Sequence, residues 1–198
     1  MTTGFYTGVC HHTAMPNDRA IDRFLEWAFE KLERIEHLYP GSLYRYQARV
    51  HRGPERRLSD GTVVRRKDHV VELHLDNDRV RELMEETGGG RRFAARFLHA
   101  GKEGLSEVAR RAAEGSIAEF VAITANTPGR FAPVARSLGY DLVELPRSLR
   151  YLTIAHIQRG VLKRYDPDSY ARIPADSPEL FPVEVWMSTE ALLARYLR

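Results

Sequence analysis

The chain has 198 residues, 43% apolar and 29% charged, enough for one ordinary domain that buries roughly 70% of its unfolded surface. Its longest apolar runs are a few residues, far short of the roughly 20 that cross a bilayer, and MTTGFYTGVCHH shows no basic region leading into an apolar one. A single cysteine, Cys10, excludes an intrachain disulfide framework and fits a reducing, cytoplasmic compartment, while 30 basic against 27 acidic residues argue against a nucleic-acid partner on net charge alone.

Residues 1–16 lack periodicity and read as a flexible arm. Asn17 and Asp18 can open a helix whose stripe runs Ile21, Phe24, Leu25, Ala28, Leu32, Ile35 and Tyr39, and Pro40-Gly41 stops it. Trp27 lies off that stripe and, with the apolar content after Tyr165, makes a homodimer a candidate. From Leu43 the period changes to two: Leu43, Arg45, Gln47 and Arg49 alternate with Tyr44, Tyr46, Ala48 and Val50, the pattern of a half-buried strand. Ser59-Asp60-Gly61-Thr62 supplies a hairpin turn, and a further strand runs Val70 to Leu75, with Val71, Leu73 and Leu75 on one face and Glu72 and His74 on the other. Seven Arg or Lys residues between Arg49 and Lys67, against Glu55 and Asp60, make this hairpin locally basic.

Asp76 or Asn77 can cap a helix that ends at Gly88-Gly89-Gly90. A second helix from Arg91 contains Gly101 and Gly104, which can divide it. Ile117 to Thr124 reads as a strand covered on both faces. Thr127 caps and Pro128 opens the next predicted helix, Gly139 ends it, and Tyr140 to Leu145 is a strand, so the spacing predicts a right-handed crossover between parallel neighbours. Leu149 to Tyr165 is helical by pattern, though Thr153, Ile154, Ile157 and Val161 are branched. A proline-rich arm, a short strand over Val183 to Met187 and a helix capped at Ser188 complete the chain.

The expected fold is α+β: a single domain with a mixed, largely antiparallel sheet, one βαβ crossover and flanking helices. Residues 1–165 form its body, and 166–198 carry the proline-rich arm, strand and helix packed on the same domain. Ligands favour the crevice beyond strand carboxyl ends, where Thr124, Asn126, Thr127 and Arg130 are expected. His74 beside Glu72 resembles a base oriented by a carboxylate. The tentative ligand site is therefore Glu72, His74, Asn77, Thr124, Asn126 and Arg130. Adjacent Cys10-His11-His12 cannot readily converge on one ion, so no metal is expected. The Gly88 to Gly90 triplet before Arg91-Arg92 lacks the ending of a nucleotide loop and reads as a linker between helices.

Over residues 42–155 the chain resembles the YkoP-like domain, a bacterial family found alone or fused to polysaccharide deacetylases. The features that carry this are Arg52-Gly53, Leu58-Ser59-Asp60-Gly61-Thr62, Asp68, Glu72-Leu73-His74-Leu75-Asp76-Asn77, the strand ending at Thr124, and Ser137-Leu138-Gly139-Tyr140. The resemblance implies a setting in cell-envelope polysaccharide metabolism and no established catalytic residue. Asp76 stands where relatives more often show a second histidine. The order of elements is also similar to that of acetyl-CoA-dependent N-acetyltransferases, although DNDRVRELMEET directly after the central strand replaces their glycine-rich cofactor loop. Three functions follow as expectations: binding of a small molecule or glycan precursor, acetyl transfer with acetyl-CoA as the cofactor, and polyanion binding by the basic 49–67 hairpin.

Overall fold

Alternating residues of the central strands send apolar side chains to one face of a six-stranded sheet and polar ones to the other, and this division organises the molecule. The computed structural model describes residues 35–145, 147–165 and 167–197. The expected arm, the helix before Ile35, Trp27 and Cys10-His11-His12 lie outside the described residues. Strands β1 (Glu36–His37), β2 (Tyr44–Val50), β5 (His69–Leu75), β6 (Ala122–Pro128), β7 (Asp141–Glu144) and β8 (Pro182–Ser188) form the sheet in the order β1-β2-β5-β6-β8-β7. Strands β3 (Arg56–Arg57) and β4 (Val63–Val64) make a separate hairpin. Every pairing is antiparallel except β5 with β6. Residues from Glu36 onward form one compact α+β unit.

Helices α1 (Asn77–Thr87), α2 (Gly90–Ala113), α3 (Ala132–Ser137) and α6 (Thr189–Tyr196) supply residues to the main core with one sheet face. Leu83, Leu105, Val108, Ala135 and Leu192 meet Tyr44, Tyr46, Val71, Leu73, Ile123, Val185 and Met187 there. Two caps are as the sequence predicts. The Asp76 carboxylate accepts from Arg79 N at 3.0 Å, and Ser188 Oγ accepts from Ala191 N at 2.9 Å.

Gly101 and Gly104 do not divide α2, which is continuous over 24 residues. They let Tyr44 lie against the helix: a Cβ on Gly104 would stand 2.5 Å from Tyr44 Cδ2. Burial pushes the Tyr44 phenol upward, as it does for Tyr140.

Three expectations change. Glu36–His37 pairs with β2 as a strand, so the helical stripe does not extend to Tyr39. The strand read at 117–124 starts at Ala122: Ile117 and Phe120 are buried as anchors of the loop after α2, and their apolarity reflects packing rather than pairing. The crossover through α3 links β6 to β7, which run parallel but are kept apart by β8, antiparallel to both. The parallel neighbours are β5 and β6, joined through α1 and α2. The modest C-terminal strand of the sequence reading is thus a seven-residue interior strand.

The remaining helices are α4 (Leu149–Tyr165) and α5 (Pro167–Arg172), followed by a 3-10 turn at Pro178–Leu180. Among the described residues no helix is long and apolar enough to cross a membrane.

Candidate functional site: the polar face of the sheet

Period-two alternation turns Arg45, Gln47 and Arg49 of β2 away from the main core, together with Val70, Glu72 and His74 of β5. The same alternation turns out Ala122, Thr124 and Asn126 of β6 and Glu184, Trp186 and Ser188 of β8. The register sets them in rows. Arg49, Val70, Ala122 and Ser188 lie across the sheet in one row, and Gln47, Glu72, Thr124 and Trp186 in the next. One step further, Arg45 lies opposite His74 and Asn126 opposite Glu184.

The first row is covered by the hairpin, whose Leu58 and Val64 form a second apolar cluster with Val70, Ala122 and Trp186. Asp60 at the hairpin turn hydrogen-bonds Ser188 Oγ, and Ser59 N donates to Asp141 Oδ2 at 2.8 Å. Burial tends to raise the Asp60 pKa, but donation from Ser188 and Thr62 outweighs it and leaves the carboxyl below its usual range.

Beyond this cover the face is charged yet nearly dry. Glu72 is 6% exposed and Glu184 5%. Arg49 reaches diagonally across to pair with Glu72, and Asn126 Nδ2 donates to the same carboxylate at 3.3 Å. Arg56 Nη2 donates to Glu184 Oε2 at 3.2 Å, and the indole of Trp186 donates to that oxygen at 3.3 Å. His51 stands edge-on to Trp186, centroids 5.3 Å apart, with Nε2 2.9 Å from Pro54 O. Each carboxylate therefore has a guanidinium partner, and together these pairs are electrically balanced.

Helix α4 packs against β6 and β8. Its buried Ala155 and Leu162 belong to neither apolar cluster, which places the helix over the polar face. Gln158 and Arg159 share the Ala155/Leu162 stripe at helical spacing. The Arg159 guanidinium lies 5.5 Å from the centroid of the Phe181 ring. On β6 and α4 three polar atoms are buried with no hydrogen-bond partner among the described residues: Asn126 Oδ1, Gln158 Oε1 and Arg159 Nε. The Asn126 amide cannot simply be reversed, because its carbonyl would then face the Glu72 carboxylate.

Of the residues expected from sequence, Glu72, His74, Thr124 and Asn126 share this face on adjacent parallel strands. Thr124 and Asn126 lie within β6 rather than beyond its end, because the strand continues to Pro128. Asn77 is the first residue of α1, past the end of β5, and the capping role falls to Asp76. Arg130 sits in a 3-10 turn at Gly129–Phe131, its guanidinium 5.6 Å from the Phe131 ring centroid. Thr127 does not cap a helix there: α3 starts only at Ala132, has six residues and has no side-chain cap.

Sequence reading missed Arg49, Arg56, Glu184, Gln158 and Arg159 as parts of the site. The available signal was a charged Glu184 inside the otherwise apolar run Val183 to Met187. Among the described residues no group of three His, Cys, Asp or Glu is placed to hold a metal ion.

The fold is thus a mixed α/β sheet with helices on its apolar face and a buried ionic layer on the other. A family model described as the YkoP domain matches residues 19–196, nearly the whole chain, and the protein belongs to that family. No curated protein and no solved structure matches it.

Proposed function

We propose that this protein binds a small, neutral, hydroxyl-rich molecule, a sugar or glycan precursor, between the polar sheet face and α4, and serves polysaccharide metabolism of the cell envelope as an accessory rather than a catalyst. The observation that carries this reading is the trio Asn126 Oδ1, Gln158 Oε1 and Arg159 Nε, two acceptors and one donor on β6 and α4, buried without partners among the described residues. Leaving such atoms unmet costs about 1–3 kcal/mol each, and hydroxyl groups, which both donate and accept, satisfy all three. Glu72 and Glu184 already hold Arg49 and Arg56, so neither carboxylate is left to call for a cationic ligand. The polysaccharide setting implied by the family is of the same chemical class.

Thermal unfolding with neutral monosaccharides, N-acetylated amino sugars and disaccharides tests this. A ligand at 100 times its Kd stabilises the fold by about 2.7 kcal/mol, a rise in Tm of about 5–10 °C for a chain of this size. Asn126→Leu, which removes the unmet acceptor, is expected to abolish that rise while leaving the unliganded Tm unchanged or higher. No rise with any member of the panel overturns the reading.

Acetyl transfer is the second reading, favoured by the parallel pair β5–β6 with helices between its strands. Against it, the Asp76 carboxylate occupies the first turn of α1, where an anionic cofactor would meet a like charge. Absence of a Tm shift with millimolar acetyl-CoA removes this option.

A further inference from the structure

Residues 49–69 carry a second feature, remote in chemistry from the balanced layer just described. Two cations of the basic stretch, Arg49 and Arg56, are drawn inward onto Glu72 and Glu184. The others divide further. Arg65 has Glu55 at 3.8 Å, whereas Arg52, Arg57, Arg66 and Lys67 are exposed and have no carboxylate within ion-pair distance among the described residues.

Three of these four, Arg52, Arg66 and Lys67, are displayed at one hydrogen-bonded turn. Lys67 N donates to His51 O at 2.9 Å and His51 N to Asp68 O at 2.8 Å, which fixes the Arg52 backbone beside the turn. Asp68 N donates to Arg65 O at 3.1 Å, and the Asp68 carboxylate accepts from Arg65 N at 2.6 Å, so this acid is spent on the turn itself.

The backbone at the apex is unusual. Lys67 has φ = 81°, and among the described residues every other positive φ belongs to glycine. A lysine in the left-handed region is strained where glycine would sit freely, and such strain persists where a side chain is needed for something other than the fold.

We infer that the turn Arg65–Lys67, with Arg52, is a docking surface for an anionic lipid bilayer. The cations project from a turn, a convex form that meets a flat charged surface without a groove to receive it. Val50, 40% exposed at the neighbouring strand end, adds an aliphatic contact. The stretch 49–69 contains no Phe, Tyr or Trp, the rings that stack most strongly on nucleic-acid bases, and its one exposed ring is the smaller imidazole of His69.

Sedimentation of the full chain with vesicles of roughly one-third phosphatidylserine in phosphatidylcholine tests this, at about 0.1 M and about 1 M salt. Binding is expected at the lower salt and lost at the higher, with no binding to phosphatidylcholine alone. Each cation removed should weaken partitioning about fivefold, so Arg66→Ala combined with Lys67→Ala loses about 25-fold.

Lys67→Gly separates function from fold. It should raise Tm by about 2 °C through relief of the left-handed backbone while weakening vesicle binding about fivefold. Equal binding to neutral and anionic vesicles overturns the inference, as does unchanged binding by Lys67→Gly. Tighter binding of duplex DNA than of vesicles at the same salt, lost in the same variants, overturns it in favour of a nucleic-acid partner.

Discussion

The two faces of the sheet are built from the same strands by opposite means. On the helical face, Leu105, Val108, Val71 and Ile123 are fully out of water, and burial of apolar area at about 25 cal/mol per Å² is what holds the layers together. On the other face Glu72, Glu184, Thr124 and Arg45 are nearly as buried, but desolvating charge offsets most of the gain from pairing it. A face that costs this much to dehydrate adds little to stability, whereas it fixes donors and acceptors in place.

Substitutions test that contrast, the largest effect being expected on the apolar side. Leu105→Ala, at a position with no exposure, should lower stability by about 3 kcal/mol in urea unfolding. A loss below about 1 kcal/mol would show that α2 contributes less packing than its burial implies. On the polar side, Glu184→Leu alone strands Arg56 and the Trp186 N–H and should cost about 2–3 kcal/mol. Adding Arg56→Met should restore much of that loss, because no unpaired charge then remains. Equal losses in the single and double variants would mean that the ion pair is itself a net stabiliser.

The smallest effect concerns pH at the hairpin cover. The Asp60 carboxyl is held below the ordinary aspartate range, so its contribution is complete above that range and is lost as pH falls through the lower folded value. Acidification should therefore loosen β3–β4 first, read as earlier amide exchange at Val63 and Val64 than in β5. The Asp60→Asn variant should lose this pH dependence. Elsewhere in the molecule Glu107, lowered to about 2 by hydrogen bonds from Arg110 and then Arg111 despite some burial, titrates on the helical side and serves as the internal reference.

Much of the fold was legible because it is local. The two-residue alternation in 43–50 and 70–75 set the strand faces, Asp60-Gly61 set the hairpin, and the glycine triplet separated α1 from α2. Glu72 and His74 could be assigned to one face for the same reason. Illegible were the interior place of β8 and the joining of Arg49, Arg56 and Glu184 into one layer, since those contacts span up to 128 residues. Gly101 and Gly104 misled for a related reason. Glycine within a helix signals a break until a partner such as Tyr44 is known to fill the space it leaves.

What the sequence determined by itself was periodicity: which residues of each strand share a side, where α1 and α6 start, and which family the chain resembles. Tertiary structure alone decided which strands are neighbours, and so which charges meet. Alternation is written into successive residues by the geometry of a single strand, while strand order is chosen by long-range burial among segments that carry no mark of one another.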